Sequence, residues 1–93
     1  MPARLRARYG GRENVPTVAP ARQARRLERA ILLAACQRRV RAFFNFELVD
    51  EKRLEGWQSG LVWRGARAKP AGAAFAAAAH AIESGALRCR RRP

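Results

Sequence analysis

Cysteine is scarce in this chain. Only Cys36 and Cys89 occur, far apart and without a His or Cys at ligand spacing, so neither a disulfide framework nor a zinc site is expected, and the pair reads as one core thiol and one tail thiol. His80 is the single histidine. It falls off the apolar stripe of its helix with no Ser or Cys placed to complete a triad, which leaves it in solvent and argues against serine- or cysteine-type hydrolysis. Long apolar runs are missing too. Met1 to Gly11 alternates Arg with small residues and never builds the core of a signal peptide, while the later Ala run is too short and too weakly apolar to span a bilayer. No membrane association is expected, and the default location is cytoplasmic, although a parent protein is free to carry an export signal upstream. With 93 residues the chain makes one small unit whose stability alone should be modest.

Acidic residues are also few, 7 against 20 Lys+Arg for a formal net charge of +13, a balance that points first toward nucleic acid or another anionic partner. The distribution dilutes that signal. Met1–Ala42 and Arg64–Pro93 are basic, whereas Phe43–Trp63 carries Glu47, Asp50, Glu51 and Glu55 against only Lys52 and Arg53. Nearly all the positive charge is Arg, and Ala is as abundant as Lys and Arg together, as a GC-rich coding sequence produces whatever the role.

Residues 1–16 contain Gly10-Gly11 and Val15-Pro16 without a sustained period and read as a basic arm and loop. A helix over 17–38 follows, with Thr17 as its cap and Pro20 in the first turn, where a missing N–H costs nothing. Leu27, Ile31, Ala34 and Ala35 share one face and Arg22, Arg25, Arg26 and Arg29 the other. Residues 40–49 are aromatic and β-branched with apolar groups on both faces, which predicts one buried strand. A loop over 50–69 includes a short extended piece, Leu61-Val62-Trp63, that turns at Arg64-Gly65. Lys69-Pro70 opens a helix over 70–84, with Ala71, Phe75, Ala78 and Ile82 as its stripe and Gly85 as its stop. Residues 86–93 read as a disordered basic tail. The fold class is α/β, two main helices flanking one buried strand plus a short extended turn segment. Such a strand demands neighbours on both sides, from an N-terminal portion or by self-association through its edges.

The run Val40-Arg41-Ala42-Phe43-Phe44-Asn45-Phe46-Glu47-Leu48-Val49-Asp50-Glu51, then Gly56-Trp57-Gln58-Ser59-Gly60-Leu61 and Lys69-Pro70, resembles the eighth strand and eighth helix of clan A glycoside hydrolases, the cellulase-like and β-xylosidase-like barrels of families 5 and 39. Thr17–Arg38 resembles the seventh helix. The resemblance implies that the chain is the C-terminal fragment of a (β/α)8 barrel, two or three units of a fold that takes roughly 250 residues. Carbohydrate is then the implied ligand of the complete parent, with no cofactor.

Retaining members of such families set an acid/base after strand four and a nucleophile at the end of strand seven, roughly 5 Å apart. Strand four is absent, and the position resembling the nucleophile holds Arg8, which cannot attack an anomeric carbon. No catalytic residue carries over, so the chain should be inactive alone. The strand-eight position where these barrels set an aromatic sugar platform is Asn45, beside Phe46 and below the loop residue Trp57. Asn45 and Glu47 are the implied hydrogen-bonding groups and Trp57 the stacking face. Asp50 and Glu51 are expected to cap the loop or pair with a nearby Arg rather than catalyse, and Trp63 to seal the core. Two other readings stay open, a small nucleic-acid-binding protein working through its Arg face and a decayed or spurious reading frame without a role.

Overall fold

A computed structural model describes residues 1–65 and 67–89. A 3-10 helix, Ala3–Arg8, is followed by α1 (Pro20–Ala35), β1 (Val62–Trp63), β2 (Arg67–Ala68) and α2 (Pro70–Glu83). The chain is thus mixed α/β, with two main helices and a two-stranded antiparallel sheet in which Val62 pairs with Ala68 and Trp63 with Arg67.

Prolines set where both helices begin. The residue before a proline is driven out of helical geometry; Ala19 accordingly stays at ψ 142° and Lys69 at ψ 165°, so α1 and α2 each start with proline as first helical residue. That is why Thr17 does not cap α1, which begins three residues later than expected. α2 starts where expected and ends at Glu83, one residue before the expected 84, and Gly85 stops it with φ 75°, a left-handed conformation that costs glycine no Cβ clash. Ala86 and Leu87 then return their amides to the Ala81 carbonyl.

The helices bury one face of each against the other. Ala24 and Ile31 of α1 meet a stripe of α2 in which Ala71 and Ala78 are sealed, and alanines allow the backbones a close approach. Arg22, Arg25, Arg26 and Arg29 all face solvent, as the periodicity implied. The C-terminal halves of α1 and α2 line a cleft of about 350 Å³ together with Val40–Phe43.

The expected buried strand at 40–49 does not form. The segment is irregular, bending at Phe46 and Leu48, and only Val49 makes a bridge, parallel to Val62. Phe44 is 89% exposed, Leu48 66% and Phe46 63%. A strand exists only where its N–H and C=O groups find partners, and among the described residues only Val62 lies beside it in sheet register.

The N-terminal arm and residues 86–89 are better anchored than composition suggested. The N-terminal arm is pinned by Leu5 and Tyr9, both buried, and by a parallel bridge from Gly10 to Arg53. Cys36 and Cys89 are joined in a disulfide, with Cα atoms 5.5 Å apart across a sequence separation of 53, which corrects the expectation of two separate thiols. The helix ends explain it: the C-terminal halves of α1 and α2 lie side by side, so the residue after α1 meets the segment that turns back at Gly85. Residues 86–89 are therefore tied to the body and are no loose tail, while the remainder of the expected basic tail lies outside the described residues. Among the described residues no helix is long and apolar enough to cross a membrane.

Candidate functional site

The loop between residues 49 and 69 is built around one carboxylate. Asp50 is 1% exposed and both its oxygens are committed: Oδ1 accepts from Lys69 Nζ at 2.6 Å and from the Gly60 amide at 2.9 Å, and Oδ2 accepts from the Tyr9 hydroxyl at 2.7 Å. Lys69, 4% exposed, also donates to the Gln58 carbonyl at 3.0 Å. A buried ion loses its hydration and is tolerable only when partners replace it. Here each charge is the other's partner.

The backbone is fitted to this knot. A Cβ on Gly60 would lie 2.6 Å from the Asp50 nitrogen, so any side chain at position 60 would push the chain off the carboxylate. The Asp50 amide donates to the Val62 carbonyl at 3.2 Å, and the Asp50 carbonyl accepts from Arg64 Nη1 at 3.1 Å. Tyr9 receives the Arg64 amide on its hydroxyl at 3.1 Å. Burial, outweighing that amide, together with the hydrogen bond and the charge of Asp50, pushes the Tyr9 phenol up to about 12. Tyr9, Asp50, Arg64 and Lys69 thus fasten the N-terminal arm, the end of segment 40–49, the β1 turn and the start of α2 at one point. So enclosed a carboxylate cannot reach an outside substrate. Asp50 is paired as expected, with Lys69 in place of an Arg.

Around this knot lies an open rim that carries all three residues singled out by sequence. Asn45 Nδ2 donates to the Glu47 carbonyl at 2.9 Å and to the Ser59 carbonyl at 3.0 Å, and Ser59 Oγ returns a hydrogen bond to the Phe46 carbonyl. Trp57 is held at the loop tip by Glu51: its amide donates to Oε2 at 3.1 Å and its carbonyl accepts the Glu51 amide at 2.8 Å. Glu51 therefore organises the loop, as expected. The Trp57 indole, 63% exposed, stands edge-on to Phe46 at 6.1 Å and 82°. The structure brings Asn45, Glu47 and Trp57 into one neighbourhood, with Phe46 between them. Trp57 leaves the core to Trp63, which is half-buried.

Glu47 carries an anomaly. Its Oε2 is buried without a hydrogen-bond partner among the described residues, which ordinarily marks a group awaiting a ligand, a water or another chain. Arg8, at the position resembling the nucleophile, is exposed on the 3-10 helix beside Tyr9. His80 faces solvent as expected. No group of three or more His, Cys, Asp or Glu side chains among the described residues could hold a metal ion.

Sequence reasoning passed over Tyr9 and Lys69 as functional atoms. A signal was available in composition: Lys69 is one of two lysines among 20 basic residues, and Tyr9 is the sole tyrosine. No protein-family model, curated protein or solved structure matches this chain.

Proposed function

We propose that this chain forms the C-terminal units of a (β/α)8 barrel of the glycoside-hydrolase kind, carbohydrate-active when complete and not catalytic alone. One observation carries the reading. Asn45 and Glu47, both half-buried, adjoin an exposed corner made by Phe46 and Trp57, so polar side chains and aromatic rings lie at one rim. Sugar rings call for that pairing, since their C–H faces pack on aromatics while their hydroxyls need donors and acceptors. The apolar side chains of segment 40–49, left in solvent, support the barrel part, because flanking strands of a complete sheet would cover them. Asp50 serves as an anchor under that rim, and Arg8 leaves the expected nucleophile position without a carboxylate.

The coding sequence upstream of Met1 tests this reading. A continuation encoding the remaining barrel units, with an acid/base after strand four, is expected; unrelated sequence there would overturn it. In a barrel so completed, Trp57 fluorescence should shift on titration with cello- or xylo-oligosaccharides, and Trp57→Ala should abolish the shift.

A second reading rests on Arg22, Arg25, Arg26 and Arg29, exposed along one face of α1 and without an ion-pair partner among the described residues. Such a face suits nucleic-acid phosphates bound without sequence preference. Steep loss of duplex binding between low and physiological salt, relieved by replacing these arginines with Gln, is its expected mark. Salt-insensitive binding or none would remove it.

A further inference from the structure

Arginines crowd one place where the backbone is uncommitted. Arg38, Arg39 and Arg41 follow α1 directly and are all exposed. Among the described residues no amide from Arg41 to Asn45 donates a hydrogen bond, and no carbonyl from Arg38 to Asn45 accepts one. Arg41, Ala42 and Phe43 lie along the cleft between the helices without a hydrogen bond to them. An endopeptidase holds its substrate as an added strand, bonding to the amides and carbonyls around the scissile bond. A carboxylate in its pocket then selects arginine just before that bond. Residues 38–45 offer both the free backbone and the arginine.

We propose that the Arg41–Ala42 bond is a processing site, cut by an arginine-directed endopeptidase to leave two chains joined by the Cys36–Cys89 disulfide. Hydrolysis breaks the C–N bond and takes up one water: the Arg41 carbonyl carbon gains the oxygen and becomes a carboxylate, and the Ala42 nitrogen becomes an ammonium. Neighbouring bonds are less open. The Val40 amide, the leaving nitrogen of a cut after Arg39, donates to the Gln37 carbonyl at 3.1 Å and closes the turn that holds Arg38 and Arg39. Other loop arginines sit in backbone already in use. The Arg12 amide donates to Glu55, the Arg64 amide to the Tyr9 hydroxyl, and the Leu54 amide, just after Arg53, to the Gly10 carbonyl. The arginines of α1 lie in a helix that would have to unwind first. Position within the chain singles out the same bond. Cys36 precedes it and Cys89 follows it, so the disulfide spans the cut, as do the Tyr9–Asp50 hydrogen bond and the packing of α1 on α2. A cut after Arg12 would instead leave residues 1–12 with no covalent tie. The proposal does not rest on the barrel reading.

Brief trypsin treatment of the full, oxidised chain, read by intact mass, tests the accessibility of the bond. Before any other cut within residues 1–89, the chain should gain one water, and only reduction should then release a fragment ending at Arg41. Ala42→Pro should block this cut with Arg41 still in place; the Ala42 amide is unused, so proline removes no hydrogen bond, and an unchanged circular dichroism spectrum is expected. Arg41→Gln should block it too, since the Arg41 side chain holds no partner among the described residues. Amino-terminal sequencing of the protein isolated from the cells that make it tests whether the bond is used, and should find a second start at Ala42. A first cut at any other bond within residues 1–89, either variant cut at Arg41–Ala42 as fast as the unaltered chain, or cell-derived protein with no start at Ala42 would overturn the proposal. None of these outcomes bears on the sequence upstream of Met1.

Discussion

The Tyr9–Asp50–Lys69 knot and the segment just before it differ in how far the chain satisfies itself. At the knot each strongly polar atom has a partner from another part of the chain: an arm residue, a loop carbonyl, a glycine amide, a helix-capping lysine. In segment 40–49 the reverse holds. Its amides from Arg41 to Val49 lack acceptors among the described residues, and its aromatic side chains meet solvent. The lesson is that a short chain can complete a buried ion pair, which needs two side chains and a few backbone groups, more readily than a strand, which needs a neighbour along its whole length.

The largest expected effect lies in the knot. Lys69→Met leaves the Asp50 carboxylate buried and unpaired and should cost about 3–5 kcal/mol in denaturant unfolding. Adding Asp50→Asn to Lys69→Met should recover part of that loss, because it is the orphaned charge that destabilises. Equal destabilisation by the single and double variants would show that the knot is less sealed than the structure has it.

Next comes the disulfide, which holds α1 and the segment after α2 together at the other end of the molecule. Reduction, or Cys36→Ser, should cost about 2–4 kcal/mol, read as a lowered Tm. The knot should survive it, so Tyr9 should keep its raised pKa in reduced protein that remains folded.

A smaller effect, with a distinct pH signature, follows from Tyr9. Its phenol ionises near 10.0 when unfolded and at about 12 in the fold, so above pH 10 the unfolded chain gives up a proton that the folded chain retains. Its contribution is complete below pH 10 and is lost as the pH climbs through 12. Tyr9→Phe should lower stability at neutral pH by about 1–3 kcal/mol, since Asp50 loses a donor, and should remove this part of the alkaline decline. An unchanged alkaline slope in Tyr9→Phe would place Tyr9 in water. The smallest effect belongs to the open region: Trp57→Ala should change stability by less than about 0.5 kcal/mol, and a much larger loss would mean that the rim is closed.

How much of this was legible in the sequence follows from how local each determinant is. Pro20, Pro70 and Gly85 act through their own backbone geometry, so the start of α2, its stop and the turn after Trp63 could be read directly. The arginine face of α1 follows from periodicity alone. The strand at 40–49 was misjudged because aromatic and β-branched composition reports suitability for a sheet, while the sheet itself depends on neighbours that a single segment does not describe. The Cys36–Cys89 bond was missed because it depends on two helices lying side by side. Asp50 could be recognised as a loop-pairing carboxylate, but its partners Tyr9 and Lys69 stand 41 and 19 residues away, and nothing local announces them. Asn45, Glu47 and Trp57 lie close together because Ser59 and Phe46 bridge the segment to the loop, a contact no spacing rule supplies.

Amide hydrogen exchange, at a concentration low enough to keep the chain monomeric, tests the contrast between the two regions most directly. The amides of Asp50, Leu54, Leu61 and Val62, all hydrogen-bonded, should be protected, while those from Arg41 to Val49 exchange at nearly unprotected rates. Protection of Arg41–Val49 equal to that of Leu61 and Val62 under those conditions would mean that the chain seals this segment by itself, and would contradict the open, unpaired backbone on which the contrast stands.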